Sequence, residues 1–156
     1  MKIAVAGDHA GYQLKSALVG DLATAGHEVI DLGAREIDPL DDYPDFAVLI
    51  ADALREGRAE RGIAVCGSGV GICVAANKHP GVRAGVCHDT YSVRQAVEHD
   101  DMNVLCLGER VVGPALARHI ARAFVDSSFT AEERHVRRLS KVLEIEKKFL
   151  RGADSG

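Results

Sequence analysis

This sequence predicts a doubly wound α/β domain on a parallel sheet, and two observations carry that expectation. Short apolar runs at residues 2–7, 27–33, 63–66, 82–87 and 103–108 alternate with amphipathic, helix-compatible segments, the grammar of repeated βα units. The later runs are apolar almost throughout rather than at alternate positions, as strands covered on both faces are. At 156 residues the chain makes a single domain, assigned to 1–150, that can bury roughly two thirds of its unfolded surface. Residues 151–156 are expected to form a disordered tail.

The first strand is Lys2–Gly7, followed by Asp8, His9 and a helix from about Ala10 to Ala25. Residues just past the carboxyl ends of strands in an open parallel sheet face the ligand crevice, which places Asp8 and His9 there. Asp8 reads equally well as a helix cap. His27–Gly33 is the second strand, and the polar loop after it, Ala34 to Pro44, has the length of a flap and carries Asp38, Asp41, Asp42 and Tyr43. Tyr43 either points into the crevice or anchors the loop. Pro44 suits the first turn of a helix to about Gly57, whose Phe46, Val48, Leu49, Ala53 and Leu54 form a core-facing pattern.

The stretch IAVCGSGVGICVAANK, Ile63–Lys78, reads as strand, glycine turn, helix, with Gly67, Gly69 and Gly71 at every second position. Backbone N–H groups at such a turn bind anions, and a cysteine at its mouth, Cys66, is a candidate thiolate. Three other readings compete. The turn can be close packing with a core cysteine. It can be a dinucleotide site with Asp89 downstream, but the fingerprint's third glycine is Ile72. It can be a thiol-phosphatase loop, but Ile72 again stands where an arginine is required.

Val82–Cys87 and Asn103–Gly108 read as the fourth and fifth strands, both buried on two faces, with a helix from about Asp89 to Glu98 between them. His99, just past that helix, falls at the opposite end of the sheet from Cys66, so a catalytic role for it calls for a neighbouring subunit. Arg110 follows the fifth strand at its carboxyl end, where an anion-binding arginine is plausible. Gly113 and Pro114 open a helix to about Phe124. A last helix, Ala131–Leu150, sets Val136, Leu139, Leu143 and Leu150 on one side and Arg134, Arg138 and Lys141 on another. With no sixth strand to cover, it is expected to dock on a partner subunit and bring its arginine pair with it.

A net charge of −4 and a pI near 6.0 argue against nucleic acid and anionic membrane surfaces as partners, so an anion site must be a local cluster of Arg and His. Cys66, Cys73, Cys87 and Cys106 form no C-x-x-C pair, and neither a signal peptide nor a membrane-spanning stretch is evident; a reduced, cytoplasmic protein is expected. Metal-ligand spacing is absent among the histidines, pointing to chemistry with no metal and no cofactor.

The ordered blocks GDHAG, DYPD, CGSGVG with AANK, HDDMNVL, GERVVG and RHVRR closely resemble the type B ribose-5-phosphate isomerases and the related galactose-6-phosphate isomerase subunits. The resemblance covers nearly the whole chain. It implies a Rossmann-like, three-layer α/β/α fold with a five-stranded parallel sheet, working as a homodimer or homotetramer whose active sites are shared between subunits. It also implies a metal-free aldose–ketose isomerase acting on a phosphorylated sugar, most simply ribose 5-phosphate and ribulose 5-phosphate. By this resemblance Cys66 moves a proton between C1 and C2 through an enediolate, since the glutamate that replaces it in some relatives would stand at Ile72. Ser68 and the N–H groups of Gly67, Ser68, Gly69 and Gly71 would hold the developing oxyanion. His99 resembles the ring-opening acid, Asp8 and His9 the sugar and phosphate contacts, and Arg110, Arg134 and Arg138 the phosphate ligands. Relatives usually carry threonine at position 68 and asparagine at position 100. Asp100 departs from that amide, which leaves four- and six-carbon sugar phosphates as alternatives, and a non-catalytic nucleotide- or phosphate-binding module as an alternative of another class.

Overall fold

The computed structural model describes residues 1–150; the expected disorder of 151–156 lies outside the described residues. Five strands, β1 (Lys2–Gly7), β2 (Glu28–Gly33), β3 (Arg61–Cys66), β4 (Ala84–Val86) and β5 (Val104–Gly108), pair in the order β2-β1-β3-β5-β4, every pair parallel. The helices are α1 (Tyr12–Thr24, entered through a 3-10 turn at His9–Gly11), α2 (Tyr43–Arg55), α3 (Val70–Ala76), α4 (Thr90–Asp100), α5 (Pro114–Asp126) and α6 (Glu133–Phe149). This is the three-layer, five-stranded α/β/α architecture that the sequence predicts.

Because side chains alternate across a strand, the sheet has two unlike faces. Ile3, Val5, Ile63, Val65, Leu105 and Leu107 line one of them and pack on Leu14, Leu18 and Leu22 of α1, Val93 and Val97 of α4, and Ile120 and Phe124 of α5. The other face is lined by Ala6, Ala64, Cys66, Val104 and Cys106, against Ala47, Ile50 and Ala51 of α2 and Ile72 and Ala76 of α3. Each large aliphatic side chain buried on the first face contributes about 1.5–3 kcal/mol, so that face carries most of the apolar stabilisation. The small-residue face lets α2 and α3 approach closely, and Cys66 belongs to it.

The chain leaves β1 for β2 on one side and returns to β3 on the other, so the strand order reverses at β1. The tips of β1 and β3 therefore flank the crevice in which doubly wound folds bind ligands. Val65 pairs with Gly7, and the Asp8 N–H donates to the Val65 carbonyl at 3.3 Å, which brings the two tips together. Lys15, 1 % exposed, braces the base of the flap loop by donating to both Asp31 carboxylate oxygens at 3.0 Å and to the Ala34 carbonyl at 2.8 Å. Those acceptors offset the cost of burying its charge.

Four expectations need correction. Val48 and Leu49 of α2 are exposed, because the face that meets the sheet is the one carrying Ala47, Ile50, Ala51 and Ala53. β4 is a three-residue edge strand whose Ala84, Gly85 and Val86 are only half-buried, because β5 covers one of its sides and nothing in the sheet covers the other. The α4 helix runs on to Asp100, closing on a left-handed Asp101 with φ 50°, so His99 lies inside its last turn rather than past it. α6 starts at Glu133 and does have a local seat, since its His135 is buried and stacked on His99 of α4. Val136, Val142, Leu143, Ile145 and Phe149 of α6 remain exposed.

Candidate active site

Cys66 ends β3, 4 % exposed, and its sulfur accepts the Gly69 N–H at 3.1 Å. That contact is possible because Gly69 turns the chain through the left-handed region at φ 79°, and because a Cβ there would sit 2.9 Å from the Leu107 carbonyl carbon. The turn is thus folded back on the sulfur and wedged against β5. The Ser68 hydroxyl oxygen accepts the Val70 N–H at 3.2 Å, which opens α3 and leaves the hydroxyl proton to donate elsewhere. Gly69 is accordingly committed to the sulfur, so the donors left to face a substrate oxygen are those of Gly67, Ser68 and Gly71.

Around this turn the fold gathers most of the residues that the sequence singles out. The Glu109 N–H donates to the Cys66 carbonyl at 2.9 Å and the Arg110 N–H to the Gly67 carbonyl at 3.1 Å, so the β5 tip is stitched to the β3 tip. The guanidinium of Arg110 then lies over Gly67, 3.2 Å from where a Cβ would be. The ring of Tyr43 covers Gly71 in the same way, at 2.8 Å, so Tyr43 does close over the turn from α2. Asp8 proves to be a cap as well as a crevice residue: Oδ1 accepts the Ala10 and Gly11 N–H groups at 3.0 and 3.1 Å. Burial raises its pKa, partly offset by His9.

Asp41 is the residue that sequence reasoning missed here. Its Oδ1 accepts the backbone N–H of His9 at 3.0 Å and meets the ring Nδ1 at 2.6 Å, 32 residues away in sequence. That hydrogen bond is the main reason the His9 pKa is raised, with the Asp8 and Asp41 charges adding and Arg110 opposing. The acidic loop was visible, but which of its carboxylates would reach β1 was not. Ligand atoms of Asp8, His9 and Asp41 lie within 4.8 Å of one another, a grouping that residue spacing did not reveal. His9 Nδ1 is taken up by Asp41 and Asp8 Oδ1 by two N–H groups, while Asp41 Oδ2 is buried with no hydrogen-bond partner; a raised His9 pKa favours imidazolium over a metal ligand.

A second cluster lies elsewhere. Cys66 pairs with Gly108 at the end of β5, whereas His99 and Asp100 precede the start of that strand at Val104. At about 3.3 Å per strand residue the two clusters are separated by the length of the sheet, more than about 13 Å. His99 is half-buried and stacks on His135, ring centroids 4.0 Å apart and planes 25° off parallel. Arg134 and Arg138 flank His135 on α6, both exposed, with Arg134 bonded to Glu132 at 3.0 Å. Asp100 sits on the rim of an apolar cavity of about 590 Å³ between α6 and the β4–α4 edge, lined by Met102, Leu139, Val142, Ile145 and Phe149. One chain therefore assembles Cys66, Ser68, Asp8, His9, Tyr43 and Arg110 at one end, and His99, Asp100, Arg134 and Arg138 at the other.

A family model described as Ribose/Galactose Isomerase matches residues 3–142. The chain is 42 % identical over 147 residues to ribose-5-phosphate isomerase B of Escherichia coli, covering 94 % of this chain and 97 % of that one. It is 40 % identical over 129 residues to a D-erythrulose-4-phosphate isomerase of Pectobacterium atrosepticum, covering 83 % and 85 %. Among solved structures, ribose-5-phosphate isomerase B of Mycoplasma genitalium with bound ribulose-5-phosphate superposes with a TM-score of 0.89 at 40 % identity, over 94 % and 97 % of the two chains.

Proposed function

The chain belongs to the ribose/galactose isomerase family, and from that premise we propose that it interconverts ribose 5-phosphate and ribulose 5-phosphate, with Cys66 as the base. The observation that carries this is the Cys66 sulfur at the switch-point crevice, held by the Gly69 N–H at the start of a turn whose Gly67 and Gly71 are covered by Arg110 and Tyr43. Isomerisation removes the proton on C2 of the aldose and delivers it to C1. A thiolate stabilised by a backbone N–H can take that proton. The Gly67, Ser68 and Gly71 N–H groups and the Ser68 hydroxyl then face the oxygen that gains charge in the enediolate, at no reorganisation cost because the turn is already folded. Arg110 and the imidazolium of His9 suit the phosphate dianion, His9 being kept charged by Asp41. Asp8, capped and buried, is placed for a sugar hydroxyl.

His99, Asp100, Arg134 and Arg138 complete this arrangement when a second copy presents its α4–α6 end to the glycine turn. The separation of the two clusters within one chain supports a homodimer with composite sites, and the exposed apolar residues of α6 supply surface for it. His99 then opens the cyclic sugar, while Arg134 and Arg138 add to the phosphate clamp. Asp100 favours a second reading of the substrate: a carboxylate where relatives have an amide changes what hydroxyl it can recognise, and a relative named for a four-carbon sugar is comparably similar.

Proton exchange in heavy water, followed over four-, five- and six-carbon aldose phosphates, separates these readings. Exchange and turnover greatest on ribose 5-phosphate are expected. A higher kcat/KM on a tetrose 4-phosphate would move the assignment to the second substrate, and no exchange on any sugar would leave a phosphate-binding module.

A further inference from the structure

His135 occupies its place at a cost that a hydrocarbon would avoid. The side chain is fully buried, its Nδ1 lies 2.7 Å from the Thr130 hydroxyl, and its Nε2 is buried with no hydrogen-bond partner. Thr130 has one hydroxyl proton, and it goes to the Glu98 carbonyl at 3.1 Å; the Thr130 N–H donates to the same carbonyl at 3.0 Å. With that proton on Glu98, the hydroxyl oxygen accepts from His135 in the tautomer that carries the ring proton on Nδ1 and leaves the lone pair on the orphaned Nε2. An unpaired buried acceptor costs free energy, and a phenyl ring in the same pocket would carry none of that cost.

What the arrangement secures is the neighbouring ring. Thr130 is tied twice to Glu98, the residue before His99, so the segment carrying His135 and the last turn of α4 are clamped together. The His135 ring, pinned through Thr130, stacks on His99 with centroids 4.0 Å apart and planes 25° off parallel. Burial pushes the His135 pKa down, with His99 and Arg134 acting the same way, which favours the neutral form of the platform beside a ring that must gain and lose a proton.

We propose that His135 is a positioning residue for His99: a buried imidazole, anchored by Thr130, that holds the His99 ring in one plane from which its free edge can protonate the ring oxygen of a cyclic sugar phosphate. This rests on the reading of His99 as the ring-opening acid. It follows that His135 matters for substrates that must be opened and not for those already open. A pentose 5-phosphate closes into a furanose through its C4 hydroxyl. A tetrose 4-phosphate has that oxygen esterified and stays open-chain.

The test is steady-state kinetics of the intact oligomer on ribose 5-phosphate and on a tetrose 4-phosphate, for His135→Ala, His135→Phe, Thr130→Val and His99→Ala. With His135→Ala, kcat on the pentose falls about tenfold or more, as expected when a reacting group is misplaced, with little change in KM and none in the tetrose rate. His135→Phe, which keeps the stacking face, recovers most of the pentose rate and melts no lower than the parent protein. Thr130→Val, which frees the ring, falls between. Equal losses on both sugars, or no loss on either, would overturn the proposal. A His99→Ala protein with undiminished pentose turnover would instead sink the ring-opening reading on which it rests. A readout that needs no substrate is the NMR signal of the His99 imidazole, narrow in the parent and His135→Phe proteins and exchange-broadened or shifted in His135→Ala and Thr130→Val. An unchanged His99 signal in both of the latter variants also overturns it.

Discussion

At the tips of β1, β3 and β5, the site is fastened by the sheet's own backbone: Asp8 N–H to Val65, Glu109 N–H to Cys66, Arg110 N–H to Gly67. At the α4–α6 end it is fastened mainly by side chains, through one ring stack and the Thr130 hydroxyl, with a single backbone bond from Thr130 to Glu98 and both arginines exposed. The first cluster stands at the end of the rigid core and holds Cys66, the proposed base, which in that role must be aimed within hydrogen-bond reach of a carbon acid. The second stands on helix ends and carries longer, freer side chains suited to gripping a phosphate or reaching a sugar ring from outside. Precision lies where backbone does the positioning, and adaptability where side chains do.

The largest effect that sharpens this contrast is loss of the base. Cys66→Ala is expected to lower kcat by at least about a hundredfold, about 2.7 kcal/mol of transition-state stabilisation, with KM nearly unchanged because the phosphate contacts are separate. A variant that kept a tenth of the rate would remove the thiolate from the mechanism.

Next in size is rescue between the two ends. Cys66→Ala and His99→Ala subunits, each inactive, should recover up to about a quarter of parent activity when allowed to exchange, since half of randomly mixed dimers are hybrids with one of two sites intact. Lasting inactivity after exchange proven by mass spectrometry would show that the two clusters never meet across an interface.

A pH effect is smaller and belongs to the strand-tip cluster alone. The His9 pKa is raised, chiefly by its hydrogen bond to Asp41, so the imidazolium proposed to grip phosphate persists above the ordinary value of about 6.5 and is lost as pH rises through the raised value. His9 likewise contributes to stability below about 6.5 and ceases to as pH rises through its folded value. In Asp41→Asn the rise in KM should move to lower pH, and a KM profile that stayed in place would detach Asp41 from His9.

Cys73 bears on how the first test is read. The neighbouring Cys106 thiol brings its pKa down to about 7, with the Asn77 amide, 3.6 Å from the sulfur, assisting. Alkylation near neutral pH should therefore still label Cys66→Ala protein at Cys73, and Cys106→Ala should move the labelling midpoint upward. Substrate protection of Cys66 has to be mapped by peptide, not by counting thiols. Last comes an expected null effect: dialysis against chelator should leave the rate unchanged, because the raised His9 pKa favours imidazolium over a metal ligand and Asp8 Oδ1 is taken up by backbone N–H groups. Activity restored by a divalent ion would contradict it.

The amino-acid order alone determined the alternation of strands and helices, the glycine turn after Cys66, the placing of Asp8, His9 and Arg110 at strand tips and of His99 away from them. These follow from periodicity and turn chemistry, which report local burial and local backbone need. Tertiary structure decided what depends on chain segments meeting across loops. β4 became a half-buried edge because of the sheet order, Asp41 rather than its neighbours met His9, and Gly69 turned its N–H onto the cysteine. His135 lies in the same RHVRR block as Arg134 and Arg138, and nothing in the sequence pattern set it apart. Only the packing of α6 on α4 showed it buried against His99, because a helix's inward stripe is set by the neighbour it finds and not by its own sequence.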